Sequence, residues 1–218
     1  MTEHSGAGTA STGRRMQRRS LDTRRRLVDA AVAAFAEAGY AGAATRDIAE
    51  RAGVHHPLIT YHFRNKERLW QAAADRLFGE LNERLERAVS GAETGDDRQR
   101  LTGAIRTLTL YSAEHPEWYH FVRDATAENG DRASWLSEHH MRRLFGLLVP
   151  LLESLQSAGD IPAREPGQVC VALLGASGCA VSFGAQYEQL TGRNVLDGDA
   201  AGDYADYVIR LFLGPERS

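Results

Sequence analysis

The sequence is poor in the residue types and motifs that build disulfide frameworks, metal centres and common catalytic sites. It holds two cysteines, Cys170 and Cys179, nine positions apart in one apolar stretch. We therefore expect no disulfide and no cysteine-based metal site, but two small buried hydrophobic side chains. A phosphate-binding glycine loop, a GxSxG motif and an HExxH motif are all missing. These absences disfavour an enzyme and predict no cofactor and no metal.

The remaining candidates for a metal site are histidines. His139 and His140 could act together with His115 or His120. Adjacent residues on a helix point about 100° apart, however, which argues against joint ligation by the His139–His140 pair. An enzyme on the helical body is therefore the least favoured of the functional classes.

Apolar leader and membrane segments are also lacking. The first twenty residues hold no apolar run, so we expect no signal peptide and a cytoplasmic location. Residues 169–187 carry no charge and would be long enough to span a membrane. Glycine, serine and glutamine dilute their apolar character, so we expect a buried helix of a protein without a membrane segment. The small pair Gly178 and Ser182 predicts that another helix approaches closely there.

Charge is distributed unevenly along the chain. The net charge of −3 combines an excess of Lys and Arg in residues 1–68 with an excess of Asp and Glu in residues 69–218. A basic head on an acidic body is typical of a protein of which one end binds a polyanion. Arginine is densest between Arg14 and Arg26, where Asp22 is the single acidic residue.

Residues 1–20 combine this arginine content with almost nothing to bury, and we expect them to be a disordered arm. The arm could follow DNA phosphates or enter a minor groove, or it could be a solvated leader without a partner. The arginines concerned are Arg14, Arg15, Arg18 and Arg19.

Residues 45–66 read as a helix, a tight turn and a second short helix. Thr45 is a candidate N-cap of the first of these helices. Gly53 supplies the positive φ that ends it. His56 precedes a proline and is biased away from helical dihedrals, while Pro57 suits the first position of the next helix. This arrangement predicts a helix-turn-helix of the kind that binds DNA.

The segments on either side complete a small domain. Residues 21–39 carry an apolar stripe of helical period, and Phe35 is the expected anchor of a core that also contains Ile48, Val54, Ile59 and Phe63. Leu58 could pack inward or touch a thymine methyl group. A long helix from residue 66 to residue 89, capped by Asn65, then connects this head to the body.

Residues 21–70 contain five short motifs in a fixed order. They are Phe35-Ala36-Glu37-Ala38-Gly39-Tyr40, Thr45-x-x-Ile48-Ala49, Ala52-Gly53-Val54, Tyr61-His62-Phe63 and Asn65-Lys66-Glu67-x-Leu69. Taken together, these motifs resemble the tetracycline-repressor-like (TetR) family of bacterial transcription factors, which a bare helix-turn-helix would not indicate. One departure is His55, because the family usually has a small polar residue there.

The resemblance implies a role for each matching position. Positions 45 and 46 contact phosphate and in some members a base, and positions 56, 57 and 60 present side chains to base edges. Positions 61 and 62 contact backbone and bases, and position 66 holds a phosphate. Basic residues at helix starts, including position 55, would also bind phosphate together with free backbone N–H groups. The candidate DNA-binding residues are Thr45, Arg46, His55, His56, Pro57, Thr60, Tyr61, His62 and Lys66.

Residues 91–218 contain helical patterns and no strand pattern. We expect a turn at 91–97, a long helix at 131–158 with a kink at Pro150, and a loop at 159–166. The resemblance implies that the last two helices pair with a partner to form a homodimer. It also implies a small hydrophobic or aromatic effector in the bundle. The weak candidates for its pocket are Trp118, Trp135, Phe183 and Tyr187.

The sequence thus predicts an all-α protein with a three-helix helix-turn-helix domain joined by a long helix to an effector-binding and dimerisation bundle. The expected parts are the arm at 1–20, the DNA-binding domain at 21–68 and the body at 69–218. The expected function is a dimeric repressor that leaves a palindromic double-stranded DNA operator when an effector binds. A DNA-binding regulator without a ligand, constitutive or architectural, is the main alternative.

Overall fold

The computed structural model describes residues 7–91, 96–127, 130–194 and 197–215. Within these ranges the regular elements are all helical, which confirms the predicted fold class. By backbone contacts the chain divides into two compact units, Met1–Arg76 and Leu77–Ser218. The elements are α1 (Ala7–Gly42), α2 (Thr45–Arg51), α3 (Pro57–Phe63), α4 (Lys66–Ser90), α5 (Asp97–Glu114), α6 (Glu117–Ala127), α7 (Asp131–Leu136), a π-helical segment (Ser137–Met141), α8 (Arg142–Ser157), α9 (Pro166–Thr191) and α10 (Gly198–Leu213).

The N-terminal unit has the core that the apolar pattern predicts. Phe35 is 2% exposed, and Ile48, Ile59 and Phe63 are buried with it, whereas Val54 and Leu58 are half-buried. Burying these large side chains stabilises a unit in which α2 and α3 are each only seven residues long. Helices that short are unstable alone, so packing rather than helix propensity holds them in place.

The first helix begins earlier than the sequence pattern predicts. We expected a disordered arm, but α1 already starts at Ala7 and continues to a break at Gly39, where φ is 67°. The segment before residue 21 has few helix breakers, and arginine, glutamine and methionine are good helix formers that extend a helix already nucleated by packing. Residues 1–6 and the side chain of Arg14, which belonged to the expected arm, lie outside the described part.

The C-terminal unit is built around α5, which packs against α8, α9 and α10. Buried hydrogen bonds add to its apolar core. The Tyr111 hydroxyl donates to the Leu77 carbonyl at 2.8 Å, and Trp118 Nε1 donates to Ser112 Oγ at 3.0 Å. These bonds satisfy polar atoms that burial would otherwise leave unpaired. Of the turn expected at 91–97, residues 92–95 lie outside the described part.

The helix expected at 131–158 is interrupted, but not at its proline. It consists of α7, a π-helical segment at Ser137–Met141 and α8, and the helical assignment runs on through Pro150. A π-helical segment inserts one residue into a turn and therefore changes which side chains face inward. Within this segment His140 is 6% exposed, whereas His139 lies at the surface.

Helix α9 carries the close approach that its small residues predict. A Cβ atom added to Gly178 would lie 2.3 Å from Cδ2 of Tyr119, so any larger residue there would force the Tyr119 ring of α6 to move. Among the described residues, no single helix is long and apolar enough to span a membrane. The two segments Pro166–Ala180 and Ser182–Thr191, which meet at a bend of 50°, reach that length and composition only when they are taken together.

The two cysteines are both free thiols, but they are not equally buried as we expected. Cys170 is buried, and burial together with the charge of Glu165 raises its pKa to about 11. Cys179 is exposed. Nine residues amount to two and a half helical turns, which places the two side chains on opposite faces of α9.

Candidate nucleic-acid interface

The turn between α2 and α3 is closed by the chain's own backbone. Gly53 has a φ of 61°, as predicted, and its N–H donates to the Glu50 carbonyl at 2.9 Å. The next N–H, of Val54, donates to the Ala49 carbonyl at 3.0 Å. This pair of bonds is the Schellman arrangement that ends a helix at a left-handed glycine. It fixes the direction in which α3 leaves the turn.

Two local predictions in this segment are wrong. Ala44, not Thr45, is the N-cap of α2, and it makes no side-chain capping bond. Thr45 is the first helical residue, so its hydroxyl is free to form a 3.0 Å hydrogen bond with Nε2 of His56. His56 is helical, with φ −47° and ψ −40°, although it precedes a proline. The Thr45–His56 bond ties the start of α3 to the start of α2.

Most candidate residues of α3 and of the two positions before it lie at the surface, while their neighbours fill the core. His55, His56, Pro57 and Thr60 are exposed, and the Tyr61 side chain is 76% exposed. Ile59 and Phe63 on the other face are 3% and 4% exposed. The helix thus presents a row of hydroxyl, imidazole and phenol groups to the outside. Such groups can donate to and accept from base edges and phosphate oxygens.

Lys66 stands at the start of α4, where its side chain is half-buried. Its ammonium nitrogen lies 4.7 Å from the centre of the Tyr40 ring and 3.4 Å from the Ala41 carbonyl oxygen. Asn65 caps the same helix, as predicted, by accepting a 2.8 Å hydrogen bond from the Arg68 N–H. The helix start thus combines backbone N–H groups with a cation, which favours binding of an anion.

The sequence reasoning missed three arginines that position these elements. Arg26 donates to the Ala52 carbonyl and, at 3.2 Å, to the Gly53 carbonyl, which anchors α1 to the turn. Arg24 lies over the Phe63 ring at 5.1 Å. Arg51 makes a two-bond ion pair with Glu37, at 2.8 and 2.6 Å. No periodicity marks such residues, since their partners lie far away in the sequence.

His62 and Arg46 complete the set of candidate residues. Arg46 is exposed on the first turn of α2, and His62 is half-buried at the end of α3. Burial, and to a smaller degree the charge of Arg24, lowers the pKa of His62 below its ordinary value. The ring is therefore neutral at pH 7 and can accept as well as donate a hydrogen bond.

The four pocket candidates in the C-terminal unit fall into two groups. Trp118 is 1% exposed and meets Phe78 edge to face, and Trp135 is half-buried and stacks on His139 at 4.4 Å. Phe183 and Tyr187, by contrast, are 62% and 39% exposed on α9. The expectation that they line an interior pocket is therefore wrong for this chain taken alone, because both stand on the outer face of the helix.

Sequence reasoning also missed a buried polar residue beside the aromatic group. Asn82 is 1% exposed, and its Nδ2 donates to the His140 carbonyl at 3.4 Å. Its Oδ1 has no hydrogen-bond partner among the described residues. The Phe78 ring lies 5.3 Å from the His140 ring and 6.1 Å from the Trp118 ring. The available signal was one polar residue on the buried side of α4, four positions after Phe78.

Comparisons with known proteins agree with this geometry. Residues 27–73 match the family described as "Bacterial regulatory proteins, tetR family". The chain is 25% identical over 163 residues to the HTH-type transcriptional repressor NicS of Pseudomonas putida, and the aligned region covers 75% of this chain and 74% of NicS. It is 39% identical over 97 residues to the HTH-type transcriptional regulator TtgR of Pseudomonas putida, but this match spans only 44% of either protein.

A solved structure shares the fold over most of the chain. The crystal structure of AibR in complex with isovaleryl coenzyme A and operator DNA superposes with a TM-score of 0.73. The superposition covers 89% of this chain and all of the AibR chain, at 15% sequence identity. The N-terminal match covers α2 and α3 together with parts of α1 and α4. Residues 27–73 therefore form a DNA-binding domain of the tetR family of bacterial regulatory proteins.

Proposed function

We propose that this protein is a cytoplasmic, ligand-responsive transcriptional regulator. It acts as a homodimeric repressor that binds a palindromic double-stranded DNA operator and is released by a small hydrophobic or aromatic effector. The observation that carries the proposal is the outer face of α3, where hydrogen-bonding side chains are exposed on a helix that a buried core holds rigidly. A helix of this kind fits the major groove and can contact base edges.

Within this proposal the candidate residues take two roles. Thr60, Tyr61 and the imidazole of His56, just before α3, read base edges, because they are exposed on the segment that enters the groove. The half-buried His62 at the end of α3 contacts the DNA backbone and bases. Lys66 and Arg46 hold phosphates at helix starts, where backbone N–H groups and a cation act together. The Thr45–His56 hydrogen bond keeps α2 and α3 in a fixed relation during binding.

The dimer is supported by exposed apolar side chains on the last two helices. Phe183, Tyr187 and Leu190 follow one another at helical spacing along α9, and Leu190 is 86% exposed. Tyr207 and Leu211 are one turn apart on α10, at 57% and 59% exposed. Large apolar side chains grouped in this way are typical of a protein–protein interface. A second copy of the chain would cover them and would set two heads on two half-sites.

The effector site is assigned to the aromatic group around Phe78, Trp118 and Asn82. The rings provide apolar surface, and the unpaired Oδ1 of Asn82 provides one acceptor for a donor on the effector. The π-helical segment lies against the same group through His140, and such segments are common at functional sites. An effector that binds more tightly to the arrangement with low DNA affinity would shift the population away from DNA.

The first test is a gel shift of the protein with DNA from upstream of its own gene, at low and moderate salt and with unlabelled competitor DNA. We expect a discrete band that resists non-specific competitor and weakens steeply with salt. A band abolished by unrelated DNA would contradict specific recognition.

Two substitutions separate the roles of α3 and α4 in the same assay. Lys66→Ala should weaken binding to all DNA sequences to a similar degree, because it removes a phosphate contact. Thr60→Ala should change the ranking of sequences in a randomised site, by about 1–3 kcal/mol per affected base pair. If Thr60→Ala leaves the ranking intact, the groove-facing assignment of α3 is wrong.

A substitution at Asn82 tests the effector site. Asn82→Leu removes a buried amide oxygen without a partner, which stabilises the fold, and also the Nδ2 bond to the His140 carbonyl, which destabilises it, so we expect a thermal stability within about 1–3 kcal/mol of the wild-type value. Operator affinity without effector should stay the same, while release by the effector should be lost. The matched Asn82→Asp variant, which buries a charge, should be destabilised.

The measurement is thermal unfolding with and without compounds from a library of hydrophobic and aromatic molecules. Acyl-coenzyme A thioesters belong in the library because AibR, which shares the fold, was solved with one. A compound that stabilises the wild-type protein and the Asn82→Leu variant equally would remove Asn82 from the site. If no compound changes operator affinity, the regulator acts without a ligand.

A further inference from the structure

We infer that the N-terminal part of α1 is a second DNA contact, in which an arginine stripe follows the phosphate backbone beside the site occupied by α3. This inference rests on the proposed DNA-binding function. The arginine stripe consists of Arg15, Arg18, Arg19, Arg25 and Arg26.

The stripe follows from helical spacing. Steps of three, one, six and one residue between the five arginines keep them within about a third of the helix circumference. Asp22 lies on the same side, but it is paired with Arg25 at 2.8 Å, which neutralises its charge locally. The opposite side of the helix carries Leu27 and Ala31, both completely buried. The stripe therefore faces away from the core and is available to a partner.

Among the residues that the structure describes, the arginines at the outer end of the stripe have no competing partner. Arg15, Arg18 and Arg19 are exposed, and no hydrogen bond or ion pair joins them to any residue that the structure describes. Three guanidinium groups in succession repel one another and destabilise the helix slightly. A polyanion along the stripe would reverse that cost. The arrangement thus fits a row of phosphates better than it fits a structural role.

The inner end of the stripe is attached to the helix-turn-helix. Arg26 donates to the carbonyls of Ala52 and Gly53, the first residues of the turn that leads to α3. The stripe is therefore continuous with the segment that meets DNA. With a rise of about 1.5 Å per residue, the eleven steps from Arg15 to Arg26 cover ~16 Å, or about five base pairs of duplex.

The helical state also decides which part of the duplex the stripe can contact. A helix with its side chains is about 10–12 Å wide, whereas a minor groove is about 6 Å wide. An extended arm could enter that groove, but α1 as a helix cannot. The stripe can therefore contact only the phosphate backbone, and such a contact does not distinguish one base sequence from another.

The test compares the wild-type protein with an Arg15→Ala/Arg18→Ala/Arg19→Ala variant on two duplexes. One duplex comes from upstream of the protein's own gene, and the other is an unrelated sequence of the same length. Contacts to phosphates do not depend on sequence, so they also contribute to binding of the unrelated duplex at low salt. Alanine keeps α1 helical, so circular dichroism should be unchanged. The slope of log affinity against log salt should fall by about 0.9 for each lost contact, on both duplexes.

Loss of all three contacts would make the advantage of the wild-type protein over the variant shrink about 40-fold between ~50 and ~200 mM salt. The matched control removes three other exposed arginines, Arg87, Arg142 and Arg193, and should leave the slope unchanged. An Arg15→Lys/Arg18→Lys/Arg19→Lys variant should restore most of the slope, since lysine also binds phosphate.

The outcomes separate this inference from the proposed function. An unchanged slope in the alanine variant, with normal wild-type binding, overturns the inference alone. Equal wild-type affinity for both duplexes overturns operator recognition. In that case the difference in salt slope between the wild-type protein and the alanine variant still tests whether the stripe contacts phosphates. If the wild-type protein binds neither duplex at low salt, both the proposed function and the stripe are wrong.

Discussion

A Phe35→Ala variant is expected to lose DNA binding because its N-terminal unit unfolds. The Phe35 side chain is 2% exposed and stacks on the Tyr40 ring, with 6.0 Å between ring centres. Removing a buried phenylalanine ring costs about 3–5 kcal/mol. A unit of this size has a total stability of only about 4–11 kcal/mol. Since α2 and α3 are too short to persist without that core, the groove-facing residues would lose their common frame.

The matched variant is Tyr61→Ala, which removes an aromatic ring that is 76% exposed. We expect it to weaken DNA binding while leaving the thermal midpoint within a few degrees of the wild-type value, because it opens no cavity. Thermal unfolding and binding should be measured on the same samples. If Phe35→Ala melts like the wild-type protein and still binds DNA, the core described for the N-terminal unit is not what holds α3.

A Phe183→Glu/Leu211→Glu variant is expected to be monomeric and to lose tight operator binding. The two side chains are 62% and 59% exposed, and we assign them to the dimer interface. A buried carboxylate without a partner costs several kcal/mol, and the symmetric interface receives each substitution twice. Two linked heads bind about 10²–10⁴-fold more tightly than one, so this is the loss expected for a palindromic site.

The control for the dimer prediction is Ala185→Glu. Ala185 is also exposed on α9, but it lies two residues and thus about 200° round the helix from Phe183. Sedimentation velocity or light scattering should report a dimer for the control and a monomer for the double variant. A double variant that remains dimeric would place the interface elsewhere. A monomeric wild-type protein that binds its operator normally would contradict the dimer altogether.

Features that depend on short-range geometry were predictable. Gly53 ends α2 because glycine adopts a positive φ without the strain that a side chain adds, and Asn65 caps α4 because its side-chain oxygen reaches a nearby free N–H. The helical spacing of apolar residues in α1 likewise predicted that Phe35 is buried. Each of these assignments depends on residues within a few positions, so the sequence contains the information directly.

The errors came from features that packing decides. Thr45 was expected to cap α2, but it bonds to His56, eleven residues away. Phe183 was expected in a pocket because it is aromatic, but the orientation of α9 places it outside. The start of α1 was expected to be disordered because it buries nothing, yet a helix that packs further along the chain extends into it.

By itself, the sequence determined the all-α class, the helix-turn-helix and the list of residues that could meet DNA. Apolar periodicity, helix caps and turn residues depend on neighbours within one or two helical turns, so a single sequence contains all the information they need. Only the tertiary structure decided that α1 is helical through its N-terminal arginines and that Arg26, at the end of their stripe, bonds to Gly53. It likewise decided that Asn82 is buried with an unpaired oxygen, because burial depends on which distant helices pack against a residue.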